Sequence, residues 1–243
     1  MTYPEAAELV AERAIALLPV GATEAHGPHL PLDTDVVISE TAACRAVMRM
    51  RTENIRAAVL PPINYAVADF ASEFAGTITL PLATATALIR DTIIGACRTG
   101  FAGVVVVNAH FDPGNMQAIR DAVSQATEAG FAVRFPDVTR KPHALRLGDE
   151  FKSGACHAGS YETSLVLAAD PFMVNTEIAG DLAPNPSSLS VAIREGKKSF
   201  VEAGGDAAYF GYPADATASE GEHLYGELTD ILVEAARALL AAL

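Results

Sequence analysis

Glu24, His26 and Asp35 fall within the string Leu18-Pro19-Val20-Gly21-Ala22-Thr23-Glu24-Ala25-His26-Gly27-Pro28-His29-Leu30-Pro31-Leu32-Asp33-Thr34-Asp35. In extended backbone, residues i and i+2 face the same side, so Glu24 and His26 can aim at one point. Gly27, Pro28 and Pro31 turn the chain sharply enough for Asp35, at the start of a following helix, to return to that point. Two carboxylates and an imidazole converging in this way make a hard-to-borderline metal site suited to zinc, manganese or iron. The plainer alternative is a helix cap, with Thr34 or Asp35 closing the N-terminus of a helix from Val37.

Two further clusters carry the same residue types. Asn108-Ala109-His110-Phe111-Asp112-Pro113-Gly114-Asn115 sets His110 and Asp112 at i and i+2. Asp112, followed by Pro-Gly, also fits an ordinary turn residue. In His157-Ala158-Gly159-Ser160-Tyr161-Glu162-Thr163-Ser164 a small-residue turn delivers Glu162 at a helix start, where the positive end of the helix dipole favours a carboxylate.

The elements that must position these clusters follow from periodicity. Short apolar, β-branched runs predict strands at Ala14–Val20, Ala57–Ile63, Gly76–Leu80, Gly103–Asn108 and Phe131–Pro136. Between them, segments of helical period predict helices at Val37–Arg51, Ala83–Arg98, Asn115–Glu128 and Glu162–Ala169, and a last helix spans Gly221–Leu243. Alternation of this kind predicts an α/β fold, a single domain over residues 1–243 with three layers and a mainly parallel central sheet. Ligands in such sheets sit outside the carboxyl ends of the strands, so Glu24–His26 and His110–Asp112, each following a strand, are expected to share a crevice. Residues 179–218, with Pro184, Pro186, paired serines and several glycines, read as a loop-rich excursion over one face.

Composition narrows the function classes. Of 243 residues, 50% are hydrophobic and 19% charged, which suits a folded core rather than a disordered chain. A formal charge of -13 has the wrong sign for neutralising phosphates, so nucleic acid and anionic membrane surfaces are excluded as expected partners. Cys44, Cys97 and Cys156 are odd in number and lack C-x-x-C spacing, which fits a reducing cytoplasm and no disulfide framework. Glu5, Glu8 and Glu12 stand where a secretory signal would be basic and then apolar, and no run is long enough to span a bilayer. The short motifs of P-loop, dinucleotide-binding, serine-nucleophile and H-E-x-x-H enzymes are absent.

The strings LPVGATEAHGPHLPLDTD, NAH, HAGSYETS and GYPADATAS, spanning residues 18 to about 219 in order, resemble the creatininase (creatinine amidohydrolase) family. The resemblance implies a pair of divalent ions in a parallel-sheet fold, usually assembled as a homohexamer, hydrolysing a carbon–nitrogen bond of a small cyclic amide, ureide or formamide. It implies Glu24, His26, Asp35 and His110 as metal ligands, with Asp35 bridging, and Glu162 as a further ligand. Asp112 stands where creatininase has Glu, associated with one metal and its water. His157 matches a histidine that handles substrate or shuttles a proton. Zinc is the first expectation for the ions, with manganese or iron as alternatives. Paired ions about 3.5–4 Å apart lower the pKa of a shared water towards 7 and polarise the carbonyl it attacks. His157 is then the candidate acid for the leaving nitrogen. The chain has no tryptophan, whereas creatininase proper lines its pocket with them, which disfavours creatinine itself. The alternatives are a family enzyme that cleaves a peptide-like bond during maturation of a small product, and a relative that binds metal or ligand without turnover.

Overall fold

A computed structural model describes residues 1–243. Four strands, β1 (Ile15–Val20), β2 (Ala57–Val59), β3 (Val104–Asn108) and β4 (Val133–Arg134), form one parallel sheet in the order β2-β1-β3-β4. Nine helices accompany it: α1 (Tyr3–Ala11), α2 (Thr34–Thr52), α3 (Leu82–Arg98), α4 (Pro113–Glu128), α5 (Gly148–Ser153), α6 (Ser160–Ala169), α7 (Thr176–Asp181), α8 (Leu189–Arg194) and α9 (Ala218–Leu240).

The central strands are apolar on both faces because helices cover both. Ile15, Leu17, Val105 and Val107 pack with residues of α2, α6 and α9. Their alternates Ala16, Leu18, Val20, Val104 and Val106 pack with residues of α3 and α4. The period-2 geometry of a strand thus divides one valine run between two cores. This is the three-layer α/β arrangement that the alternation of strand and helix predicts.

Pairing of Val20 with Asn108 brings the ends of β1 and β3 side by side at the middle of the sheet. In the strand order this is the switch point, where crossovers leave to opposite faces and open a crevice. The chain leaving β1 runs against the start of α2: a Cβ on Gly21 would lie 2.6 Å from the Val36 amide nitrogen and 2.9 Å from Asp35 Cβ. Only glycine lets that approach bring Asp35 over the end of β1.

Gly76–Leu80 is not a strand of the sheet. It makes a single bridge, Ala66 to Thr79, and its threonines serve the loops: Thr77 Oγ1 accepts from the Ala25 amide at 3.0 Å and Thr79 Oγ1 from the Ala68 amide at 3.0 Å. The strand expected over Ala57–Ile63 stops at Val59, because Pro61 and Pro62 have no amide hydrogen to donate; pairing resumes only as a bridge between Val20 and Ile63. The edge strand expected over Phe131–Pro136 shrinks to Val133–Arg134. Residues 179–218 are less irregular than expected, holding the end of α7, all of α8 and a 3₁₀ turn at Pro213–Asp215. No helix is long and apolar enough to cross a membrane.

Candidate metal centre

Glu24 and His26 come from the loop after β1, Asp35 from the first turn of α2, and His110 from the exit of β3. His157 lies in the turn before α6, and Glu162 in the first turn of that helix. All six are buried. Asp35 does not cap its helix: Asp33 occupies the N-cap, and the Asp35 carboxylate faces the cluster from the positive end of the α2 dipole.

Asp35 Oδ1 lies 3.3 Å from His26 Nε2, and Oδ2 lies 3.0 Å from His110 Nδ1. Glu24 Oε1 is 3.1 Å from His110 Nδ1, while Glu162 Oε2 is 3.5 Å from His26 Nε2. Donor atoms therefore group as Glu24–Asp35–His110 and as His26–Asp35–Glu162, with one Asp35 oxygen facing each group. Glu24, His26 and His157 form a third, overlapping group.

Three backbone carbonyls determine which nitrogen of each ring faces inward. His26 Nδ1 lies 3.1 Å from the Glu24 carbonyl, His110 Nε2 2.7 Å from the Val67 carbonyl and His157 Nε2 3.0 Å from the Ala25 carbonyl. A carbonyl only accepts, so those nitrogens carry the protons and donate, leaving a lone pair on the opposite nitrogen of each neutral ring. These lone pairs face carboxylate oxygens, which are also acceptors. Glu24 Oε2, His26 Nε2 and Asp35 Oδ2 are buried with no hydrogen-bond partner. Lone pairs packed against lone pairs fit positively charged occupants, and imidazoles oriented by a backbone acceptor are the usual form of a metal ligand.

Protons take the cations' part when no metal is bound. Burial alone would lower the basicity of His26, but Asp35, Glu162 and Glu24 outweigh it and push the ring up to about 10. His110 is likewise buried, yet Glu24 and Asp35 raise it well above an ordinary imidazole. Burial pushes Asp35 up, but His26 and His110 hold it well below the usual carboxylate range. For Glu162, burial wins with help from Asp35 and Glu24, against His26 and the Ala158 amide, and the carboxyl rises to about 8. His157 is lowered, first by burial and then by the neighbouring His26.

Asp112 stands apart from the donor groups. Its Oδ1 accepts from the Gly114 amide at 2.7 Å as the N-cap of α4, and its Oδ2 accepts from the Phe70 amide at 3.1 Å. It lines the same cleft as Glu24, Asp35, His110, His157 and Glu162. The cleft's apolar wall is formed by Phe70, Phe111, Leu189, Ile193 and Phe200, and no Lys or Arg lines it. Phe200 lies over His157 with ring centroids 4.2 Å apart. His29, beside the cluster, pairs Nε2 with Thr163 Oγ1 at 2.9 Å.

The carbonyls of Ala25 and Val67 escaped the sequence reading because a backbone acceptor leaves no residue-type signal. Leu189, Ile193 and Phe200 escaped it too; their only sign was the apolar residues scattered through a stretch otherwise rich in turns.

A parallel α/β sheet whose central strand ends gather carboxylates and imidazoles defines a class, the α/β proteins with a candidate metal centre at the switch point of the sheet. Residues 1–236 match the creatininase family, described as creatinine amidohydrolase, and the chain belongs to that family. The mycofactocin precursor peptide peptidase of Mycobacterium ulcerans is 36% identical over 222 residues, covering 88% of this chain and 81% of its own. The creatinine amidohydrolase of Pseudomonas putida is 29% identical over 198 residues, 73% of each chain. Among solved structures, one described as "Creatininase Mn" superposes with a TM-score of 0.75 at 24% identity, covering 98% of this chain and 96% of its own. A mutant creatininase of "Zn-Zn type" gives 0.74 at 24% identity, with 98% and 95% covered.

Proposed function

We propose that this chain hydrolyses a carbon–nitrogen amide bond using two divalent cations, one held by Glu24, Asp35 and His110, the other by His26, Asp35 and Glu162, with Asp35 between them. The observation that carries this reading is the burial of two groups of metal-type donor atoms, each group within 4.8 Å, sharing Asp35, in which Glu24 Oε2, His26 Nε2 and Asp35 Oδ2 have no hydrogen-bond partner. Zinc or manganese suits this mixed carboxylate–imidazole set, and both metals figure in the descriptions of related creatininase structures. Bound there, such ions supply a nucleophilic water at neutral pH and polarise the carbonyl under attack.

The chain's own residues do the remaining work. His157, its Nε2–H held by the Ala25 carbonyl, turns Nδ1 towards Glu24 and Glu162 at 3.8 and 3.9 Å. Kept neutral by burial, it would accept at Nδ1 the proton that the attacking water gives up and deliver that proton to the leaving nitrogen as the carbon–nitrogen bond breaks. Phe200 covers the outer face of that ring and excludes water from it. Asp112 ties the exit of β3 to the Phe70 turn and so fixes one wall of the cleft.

For the substrate we favour a peptide-type amide in a small precursor, with an uncharged apolar group beside the scissile bond. The 36% identity to a precursor peptide peptidase supports the peptide, and the cleft's phenylalanine, leucine and isoleucine wall without a cationic side chain supports the apolar group. The second reading is a small cyclic amide, ureide or formamide, favoured by the Pseudomonas relative. Elemental analysis coupled to a hydrolysis screen separates them: short apolar peptides in one arm, lactams, hydantoins, ureides and formamides in the other. We expect about two ions per chain and cleavage in the peptide arm. Turnover confined to the other arm selects the second reading, and metal-free protein with full activity overturns both.

A further inference from the structure

Glu150, on α5, belongs to none of the strings that carry the family resemblance, yet its carboxylate joins two of them. Oε1 accepts from the Ser160 amide at 2.9 Å and from the Tyr212 amide at 2.7 Å, while Oε2 accepts from the Tyr161 amide at 2.7 Å. Ser160 and Tyr161 open α6 within HAGSYETS, and Tyr212 lies in GYPADATAS. The carboxylate has no Lys, Arg or His partner; amide hydrogens alone hold it. Room for it is cut into both strings by glycine, since a Cβ on Gly159 would lie 2.6 Å from Oε2 and one on Gly211 would strike Oε1.

The segment so clamped is the one that presents His157 and Glu162. Its backbone is tied from the inside as well: the Ala158 amide donates to Glu162 Oε2 at 2.6 Å, and the Phe210 amide donates to the His157 carbonyl at 2.8 Å. Ala158 stands at φ 50, a left-handed conformation that an alanine keeps only where its surroundings hold it.

We propose that Glu150 is a positioning residue for the metal centre: its carboxylate fixes the first turn of α6 against the Tyr212 segment and thereby sets the reach of Glu162 and His157. This inference rests on the two-ion reading of the cluster. Three amide donors converge on two oxygens, and a carboxylate, which only accepts, satisfies all of them; a glutamine would turn an N–H₂ group against an N–H. The charge also sits at the positive end of α6, where it favours the helix.

The test compares wild-type protein with Glu150→Gln and Glu150→Asp. Each is stripped of metal and titrated with zinc or manganese alone by calorimetry, with melting of the metal-free forms and steady-state kinetics measured in parallel. We expect Glu150→Gln to weaken one of the two binding steps about tenfold to a hundredfold, the usual cost of losing a group that orients a ligand, and to spare the other. We also expect kcat to fall while KM stays within about threefold. Should that variant fail to fold, Glu150→Asp, which keeps the charge and shortens the reach, is expected to show the same selective weakening at smaller amplitude. Two wild-type binding steps and wild-type kcat in a variant that merely melts earlier would overturn the inference and leave the two-ion reading intact. Wild-type protein that takes up no ions would overturn both.

Discussion

Each Asp35 oxygen faces a different imidazole, so this side chain is where removing charge without changing shape is most informative. Asp35→Asn leaves an amide of the same size among buried acceptors. Because losing even an outer group costs metal sites about tenfold to a hundredfold, losing the shared carboxylate is expected to lower kcat/KM at least a hundredfold and bound metal below two ions per chain. Stoichiometric metal with full activity in this variant would remove the basis of the proposed function. His157 is expected to behave differently. With His157→Asn, metal content stays at the wild-type value while kcat drops by about 10²–10⁴, the range for a lost proton carrier. Loss of an ion in this variant would instead make His157 a ligand within the Glu24–His26–His157 group.

Between elements, the join of β3 to α4 decides where His110 points. Asn115 Nδ2 donates to the His110 carbonyl at 2.8 Å and to Asn108 Oδ1 at 3.0 Å, while Asn108 Nδ2 donates to the same carbonyl at 2.8 Å. Asn115→Ala removes two of these bonds from a fully buried position. The expected cost is about 1–3 kcal/mol of stability, read by denaturant unfolding, with a roughly tenfold to hundredfold loss in metal affinity, read by titration. Unchanged affinity would show that β3 alone orients the ring. The sequence made β1 and β3 legible because strands buried on both faces must be continuously apolar, and the i, i+2 pairs at their ends followed from strand geometry. It left α1 unread: the helix is nine residues long and its apolar stripe is short, with Ala6, Leu9 and Val10 only half-buried, so its remaining signals are Pro4 in the first turn and the Thr2–Glu5 capping box, where Glu5 Oε2 accepts from the Thr2 amide at 2.6 Å. The apparent strand Gly76–Leu80 has the opposite cause, since its β-branched residues brace the loops around the site rather than a sheet. Asp112 was legible as a polar residue at a strand end, but only coordinates show which amides occupy its oxygens.

At the scale of the whole molecule, the buried cluster couples folding to pH and metal together. His26, raised to about 10, adds stability in full below its unfolded value near 6.5, and that contribution fades as pH rises through 10. Glu162, raised to about 8, acts in the same direction: its contribution is complete below about 4.5 and is lost as pH rises through 8. On the acid side, His29, lowered to about 4 chiefly by burial and then by His26, contributes above 6.5 and loses that contribution as pH falls through 4. Metal-free protein is therefore expected to melt at progressively lower temperature between pH 7 and 10, and again below pH 6, where the losses from His29 and from His157, also lowered by burial, together outweigh the remaining gain at Glu162. Divalent ions release the protons they replace and so bind more tightly as pH rises. At a hundredfold excess of zinc over its dissociation constant, binding adds about 2.7 kcal/mol. For a chain of this size, at about 2–4 °C per kcal/mol, that raises Tm by roughly 5–10 °C. The gap between metal-loaded and metal-free Tm should widen from pH 6 to pH 9, and calorimetry in buffers of different ionisation enthalpy should register proton release on zinc binding at pH 7. A gap that stays constant over this range, with no protons released, would mean that the charges of His26, His110 and Glu162 do not answer to a cation at all.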